Sequence, residues 1–365
     1  MLFGALALSS GVMAGVAGAA DTDVSSSDQQ APAGAAPAPA PGGAPDQVVS
    51  SGEINPRSAQ DAAAYWTPER MRAAKPADLG VVAGVPSDGP VDAGQASATP
   101  SASGPPGEVH PARPALGAPG EPQATAAPQA LAAAAQVPRP YTNLPDRTIG
   151  KVFFTRPGWG DYVCSGTAVN SPNKSVVWTA GHCVEAGASG GFHTNWVFVP
   201  AYSSGTNGGR PYGTWNARTL YSLNGWTQAG NFSYDLGAAV VSPRNGQRLV
   251  NRVGGHGLRW NQPAYRQRSA FGYPALAPFN GWLMWRCNSG LVARDNPPGA
   301  GPNTMRINCN MTGGSSGGPW LAGLHNGLGY VESVNSYGYV NQPNAMYGPY
   351  QEAGAKNLYD RVKSA

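Results

Sequence analysis

The pattern of apolar and polar positions changes character near residue 145. Beyond it, short apolar or alternating runs recur at 151–155, 175–179, 196–200, 236–242 and 329–334, separated by Gly, Pro, Asn and Ser clusters. Runs of this length and spacing, with no long 3.6-residue period, predict the strands of an all-β sandwich or barrel. One helical period emerges, over 353–362, with Leu358, Tyr359 and Val362 on one face. Before residue 145 the texture differs. Residues 1–20 are apolar and end in small residues, and 21–145 are dominated by Ala, Pro, Gly, Ser and Gln. A single island, Tyr65 to Arg72, predicts a short helix with Thr67 as N-cap, Pro68 at the first helical position and Glu69 in the first turn. So short a helix is rarely stable alone. It reads either as the docking element of a propeptide or as a marginal turn in a linker.

Composition sharpens this division. Residues 1–140 carry 20 of the 35 prolines, one of the ten tryptophans (Trp66) and no cysteine. Such a segment buries too little apolar surface to offset the entropy of ordering it. The expected organisation is therefore a signal peptide at 1–20, a low-complexity, largely disordered propeptide or linker at 21–145, and one domain at 146–365. A membrane anchor is the alternative for 1–20. Charge divides at the same place: 6 basic and 12 acidic residues up to 145, against 18 basic and 8 acidic after it. An N-terminal segment of net −6 could cover a domain of net +10 until cleaved, with Arg139 or Arg147 marking the junction; a plain spacer is the alternative. All four cysteines fall in the domain, and an even count in an exported chain favours disulfides over zinc. Three pairings are open.

The chemistry centres on Ser316, in Thr312-Gly-Gly-Ser-Ser-Gly-Gly-Pro319. A serine hydroxyl becomes a nucleophile when a base takes its proton and donors hold the resulting oxyanion. Flanking glycines let the backbone turn tightly, which assigns the donors to the N–H groups of Gly314 and Ser316. The same residues satisfy G-x-S-x-G, but that elbow belongs to alternating strands and helices with a histidine after the serine. Only His325 follows Ser316. An upstream base is the better reading, and His182 in Trp178-Thr-Ala-Gly-His-Cys183 is the histidine with supporting context. Between His182 and Ser316 the acidic residues are Glu185, Asp235 and Asp295. Glu185 is too near His182 in sequence and Asp295 falls in a turn. Asp235 precedes an apolar run that would bury it, where it can fix the tautomer of His182.

Thr179-Ala-Gly-His-Cys183, Tyr234-Asp-Leu-Gly237 and Gly314-Ser-Ser-Gly-Gly-Pro319 resemble the three signature blocks of the trypsin/chymotrypsin family, in its order His, Asp, Ser. The resemblance covers about residues 147–365. It implies two six-stranded antiparallel β-barrels with a C-terminal helix, the site between the barrels, and acyl-enzyme hydrolysis of peptide bonds. Thr312-Gly-Gly and Ser336-Tyr337-Gly338 look most like secreted bacterial enzymes related to glutamyl endopeptidases. Cys164 and Cys183 match the family's disulfide beside the histidine, leaving Cys287 and Cys309 as the second pair. Where digestive enzymes carry an aspartate before the nucleophile, this chain has Ser315, so their activation switch is absent. The implied substrate pocket comprises Asn310, Asn335, Ser336, Tyr337 and Gly338. Asn310 stands where trypsin has its aspartate, and Asn335 about where glutamyl endopeptidases have a histidine, so neither preference is supported. The expectation is a secreted, monomeric zymogen acting on proteins or peptides, its own N-terminal segment serving as inhibitor. No metal, cofactor or nucleic acid is implied, nor a membrane once the signal is cleaved. The competing classes are a non-catalytic binding protein on the same scaffold and an esterase.

Overall fold

The computed structural model describes Asp46 and residues 48–53, 62–77, 80–81, 89–90, 104–115, 131–203 and 209–365. The expected signal peptide lies outside the described residues. Among them, no helix is long and apolar enough to cross a membrane.

Part of the Ala/Pro-rich segment is ordered. It contributes strands β1 (Val49–Glu53), β2 (Lys75–Pro76), β3 (Gly80–Val81), β4 (Gly89–Pro90), β5 (Gly107–Val109) and β6 (Leu131–Gln136), and helix α1 (Pro68–Ala73). Small residues bury little, but their main chain can still pair with strands of a folded sheet. Helix α1 begins as its sequence predicts: Thr67 caps it by accepting from Arg70 N–H, and Pro68 takes the first position.

The first half of the domain comprises β7 (Ile149–Arg156), β8 (Gly160–Val169), β9 (Val176–Thr179), β10 (Thr194–Pro200), β11 (Trp215–Leu223) and β12 (Gly237–Val241). Their order is β11-β10-β7-β8-β9-β12, and β11 also pairs with β12, which closes a six-stranded antiparallel barrel. Closure pairs each of these strands with two barrel neighbours over part of its length, and β-branched and aromatic residues can fill the interior. Val152, Phe153, Val177, Trp178 and Phe198 are fully buried, successive residues on opposite faces of the barrel wall, each contributing roughly 1.5–3 kcal/mol. β1 lies against β11, and β2 pairs with β8 in parallel.

The second half comprises β13 (Gly257–Trp260), β14 (Arg268–Gly272), β15 (Trp285–Ser289), β16 (Ala293–Asp295), β17 (Thr304–Asn308), β18 (Pro319–His325), β19 (Leu328–Val334), β20 (Tyr337–Gly338) and β21 (Ala345–Gly348). These form two sheets, β5-β13-β19-β18-β14-β15-β6 and β3-β20-β21-β17-β16-β4. A disulfide between Cys287 of β15 and Cys309, just after β17, staples one sheet to the other. Asp295, expected in a turn, instead ends β16 with its carboxylate buried against the Tyr337 and Tyr339 hydroxyls. Helices α2 (Asn224–Thr227) and α3 (Leu249–Val253) are single turns. Helix α4 (Ala353–Val362) coincides with the predicted period and buries Leu358, Tyr359 and Val362.

Candidate active site

Strand β9 delivers His182. Its last residue, Thr179, is followed by Ala180 and a 3-10 turn, Gly181–Cys183, that turns the histidine out of the barrel. The Cys164–Cys183 disulfide ties this turn to β8. Asp235 follows a second 3-10 turn, Phe232–Tyr234, capped by Asn231. Pairing of Gly237 with Thr179 then brings Asp235 to His182. The Asp235 carboxylate is fully buried. Its Oδ1 accepts from His182 N–H at 2.8 Å, and its Oδ2 lies 2.8 Å from His182 Nδ1. A third bond comes from Ser336 Oγ, which donates to Oδ2 at 2.6 Å. Held this way, the imidazole carries its proton on Nδ1 and leaves Nε2 free to act as a base.

Ser316 sits in the loop between β17 and β18. Ser165 of β8 locks that loop from the facing barrel: its N–H donates to Ser316 O at 2.7 Å, and its Oγ donates to Gly314 O at 2.9 Å. Gly317 is at φ +78°, and a Cβ there would come 2.0 Å from Thr179 Oγ1. Only glycine fits such an approach. His182 Nε2 and Ser316 Oγ are both buried, and neither has a hydrogen-bond partner among the described residues.

The remaining expected residues fall in different places. Gly314 N–H donates to the Ala77 carbonyl at 3.1 Å, so the N-terminal segment reaches the expected oxyanion donor. Asn335 is fully buried, and its amide is consumed by Phe271 O, Ser315 O and the Trp320 indole. It braces the Ser316 loop, with both amide hydrogens of its side chain used there. Asn310 Oδ1 accepts from Ala134 N–H of β6. Tyr337 donates to Asp295 and stacks on Tyr347. Gly338 pairs with Val81 of β3. Of the two candidate junctions, Arg147 is buried and Arg139 is exposed.

Three contributors carry no sequence signal of their own: Ser165, the Ser336 hydroxyl as a support for Asp235, and His193. His193 Nε2 donates to His182 O at 3.1 Å while its ring stacks on Phe154 at 4.3 Å. Burial pushes its pKa down to about 3, which keeps the ring neutral. A cleft of about 290 Å³ opens beside His182, lined by Phe154, Arg156, Trp159, Tyr162 and Trp226, with Ala77 at its border. Cys164, His182 and Cys183 have ligand-type atoms within 4.8 Å of one another. Both sulfurs are joined in the disulfide, which leaves no thiolate to bind a metal.

No family model matches the chain. One curated relative, the "extracellular metalloprotease" of Bacillus subtilis (strain 168), is 35% identical over 128 residues, 34% of this chain. The match spans only 36% of that relative. Solved structures match more completely. Protease Anisep from Arthrobacter nicotinovorans is 43% identical with a TM-score of 0.54, over 61% of this chain and 98% of that one. The thermostable serine protease AL20, from an extremophilic microorganism, is 42% identical with a TM-score of 0.55, over 60% of this chain and 98% of that one. A Glu endopeptidase at 20% identity and a TM-score of 0.50, over 64% of this chain and 97% of that one, shares the fold. The chain belongs to the family of bacterial chymotrypsin-fold serine proteases that includes Anisep and AL20.

Proposed function

We propose that the chain is a secreted serine endopeptidase, made as a zymogen, that hydrolyses peptide bonds of protein or peptide substrates through an acyl-enzyme. The observation that carries this reading is the Asp235 carboxylate, buried and hydrogen-bonded to both His182 N–H and Nδ1, with Nε2 left free. Ser316 Oγ attacks the substrate carbonyl carbon while His182 Nε2 takes its proton. Charge developing on the carbonyl oxygen is held by the Gly314 and Ser316 N–H groups. The C–N bond then breaks, and His182 returns the proton to the leaving amine. Water, deprotonated by His182, releases the acyl group from Ser316. That Gly314 N–H already holds one carbonyl oxygen, from Ala77, supports its role as an oxyanion donor. Secretion is supported by the two disulfides, which persist in oxidising compartments.

The test exposes the purified chain, intact and after limited proteolysis within residues 21–145, to a serine-directed phosphonate, with Ser316→Ala as control. Labelling of the proteolysed chain that disappears with Ser316→Ala is expected. Absence of Ser316-dependent labelling in both forms, with the domain folded, sinks the reading. A peptide library then reports the cleavage preference.

A further inference from the structure

We infer that residues 62–77 and 80–81 belong to a built-in inhibitor that crosses the cleft in the direction opposite to a substrate. The inference rests on the reading above, in which His182, Asp235 and Ser316 are catalytic, and it takes the Tyr337–Gly338 strand, part of the substrate pocket implied by the family resemblance, to hold the residues before the scissile bond.

The segment is anchored before it reaches the cleft. Trp66 is fully buried on the first barrel, its indole Nε1 donating to Asn195 O at 2.6 Å and its ring 5.3 Å from Phe153. Met71 of α1 is buried beneath the helix. Tyr65 Oη and Arg70 Nη1 both reach the Asp161 carboxylate, at 2.8 and 3.3 Å. From α1 the chain runs along β8, with Lys75 opposite Tyr162 and Pro76 opposite Val163. Ala77 N–H donates to Val163 O at 2.9 Å, and its carbonyl accepts from Gly314 N–H at 3.1 Å. Gly313 lies directly against this stretch, where a Cβ would stand 3.1 Å from Ala77 O and 3.5 Å from Pro76 Cβ. Farther on, Gly80 and Val81 pair with Tyr337 and Gly338.

Both pairings are parallel. Lys75 and Pro76, before the Ala77 carbonyl, therefore lie on β8, and Gly80 and Val81, after it, lie on β20. A substrate whose acyl side occupies the Tyr337–Gly338 strand places its chain the other way round. The chain after the Ala77 carbonyl leads to Gly80 and Val81 on β20, so an amine released by acylation of Ser316 there would belong to the pocket side rather than to the side of β8. The segment thus satisfies an oxyanion donor without presenting a cleavable bond. The triad agrees, since Ser316 Oγ and His182 Nε2 are buried and not hydrogen-bonded to each other.

The experiment uses the intact chain and reads the rate of phosphonate labelling at Ser316. Trp66→Ala is expected to speed labelling of the intact chain at least tenfold, toward the rate of the proteolysed wild type. Because Trp66 is a core residue, the surface pair Tyr65→Phe/Arg70→Ala provides a second variant, expected to speed labelling several-fold without loss of folding. Mass spectrometry is expected to find the Ala77–Asp78 bond intact after prolonged incubation. Intact wild type labelling as fast as the proteolysed form overturns the inhibitor while leaving the catalytic reading in place. Ser316-dependent cleavage of the Ala77–Asp78 bond overturns the reversed direction. Labelling in no form removes the catalytic reading and the inhibitor with it.

Discussion

Asp235 accepts three hydrogen bonds on two oxygens, and the donors come from two parts of the chain. His182 supplies two of them, and Ser336, from the segment after β19, supplies the third. A hydrogen bond to a charged acceptor contributes about 1.5–3 kcal/mol. Removing the hydroxyl leaves Asp235 buried with less to hold its orientation. Ser336→Ala is therefore expected to lower kcat about tenfold or more with KM little changed, because the loss falls on the imidazolium formed in the transition state. Steady-state kinetics on the activated enzyme decide it, and an unchanged kcat refutes the role. At this scale the sequence nominates His182, Asp235 and Ser316, because nucleophile and base each need a distinctive local backbone and the carboxylate is chosen by elimination; the structure joins His182 to Asp235. Ser336 draws notice only as part of a pocket, Ser165 only as a neighbour of Cys164, and His193 only as a histidine among glycines with no supporting pattern. One hydroxyl or ring carries no motif, and its role is set by where a distant loop places it. Asn335 reverses the error: the position expected to touch substrate holds the nucleophile loop together instead.

The nucleophile loop works as an element because Gly317 permits both its curvature and its contact with the first barrel. Gly317→Ala puts a methyl where Thr179 Oγ1 stands and asks an L-residue to adopt φ +78°. The barrel strand is the more rigid partner, so the loop shifts. A displacement of about 1 Å at the reacting atoms costs on the order of 100-fold in rate. Loss of that order in kcat/KM is expected, with the far-ultraviolet circular dichroism of the variant unchanged. Wild-type kinetics would show that the loop tolerates the methyl. Four of the six barrel strands are legible as elements, since runs such as Val176–Thr179 and Gly237–Val241 are short, apolar and bounded by turn residues; β8 and β11 fall outside the runs read from the sequence. The six strands before residue 140 were not. They consist largely of Ala, Gly, Pro and Ser, carry no alternation, and exist because folded sheets offer their backbones partners. Only α1 among the N-terminal elements announced itself, through Thr67 and Pro68.

Across the whole molecule the two halves are joined by buried polar bonds as well as by the cleft, and His256 is one such joint. Its Nδ1 accepts from Gly329 N–H of the second half, so Nε2 carries the proton and donates to Thr148 Oγ1, at the entry to β7, at 2.7 Å. Burial pushes its pKa down to about 3, as it does for His193. An unfolded histidine binds a proton below about 6.5. Between about pH 6.5 and 3 the unfolded chain therefore holds more protons at these two sites than the native fold. The stability they confer is complete above pH 6.5 and is lost as pH falls through that window. Each histidine contributes a slope of about 1.4 kcal/mol per pH unit. Asp146 acts oppositely, because burial raises its pKa to about 6 and the native state then holds the extra proton between about 3.8 and 6. The histidine effect is isolated by difference. His256→Asn keeps an acceptor for Gly329 N–H and cannot be protonated. The variant is expected to be less stable than wild type at pH 7 and to lose stability more slowly on acidification, by about one proton in the pH slope of urea unfolding. Parallel pH curves for the two proteins would mean that His256 is not held neutral across the joint.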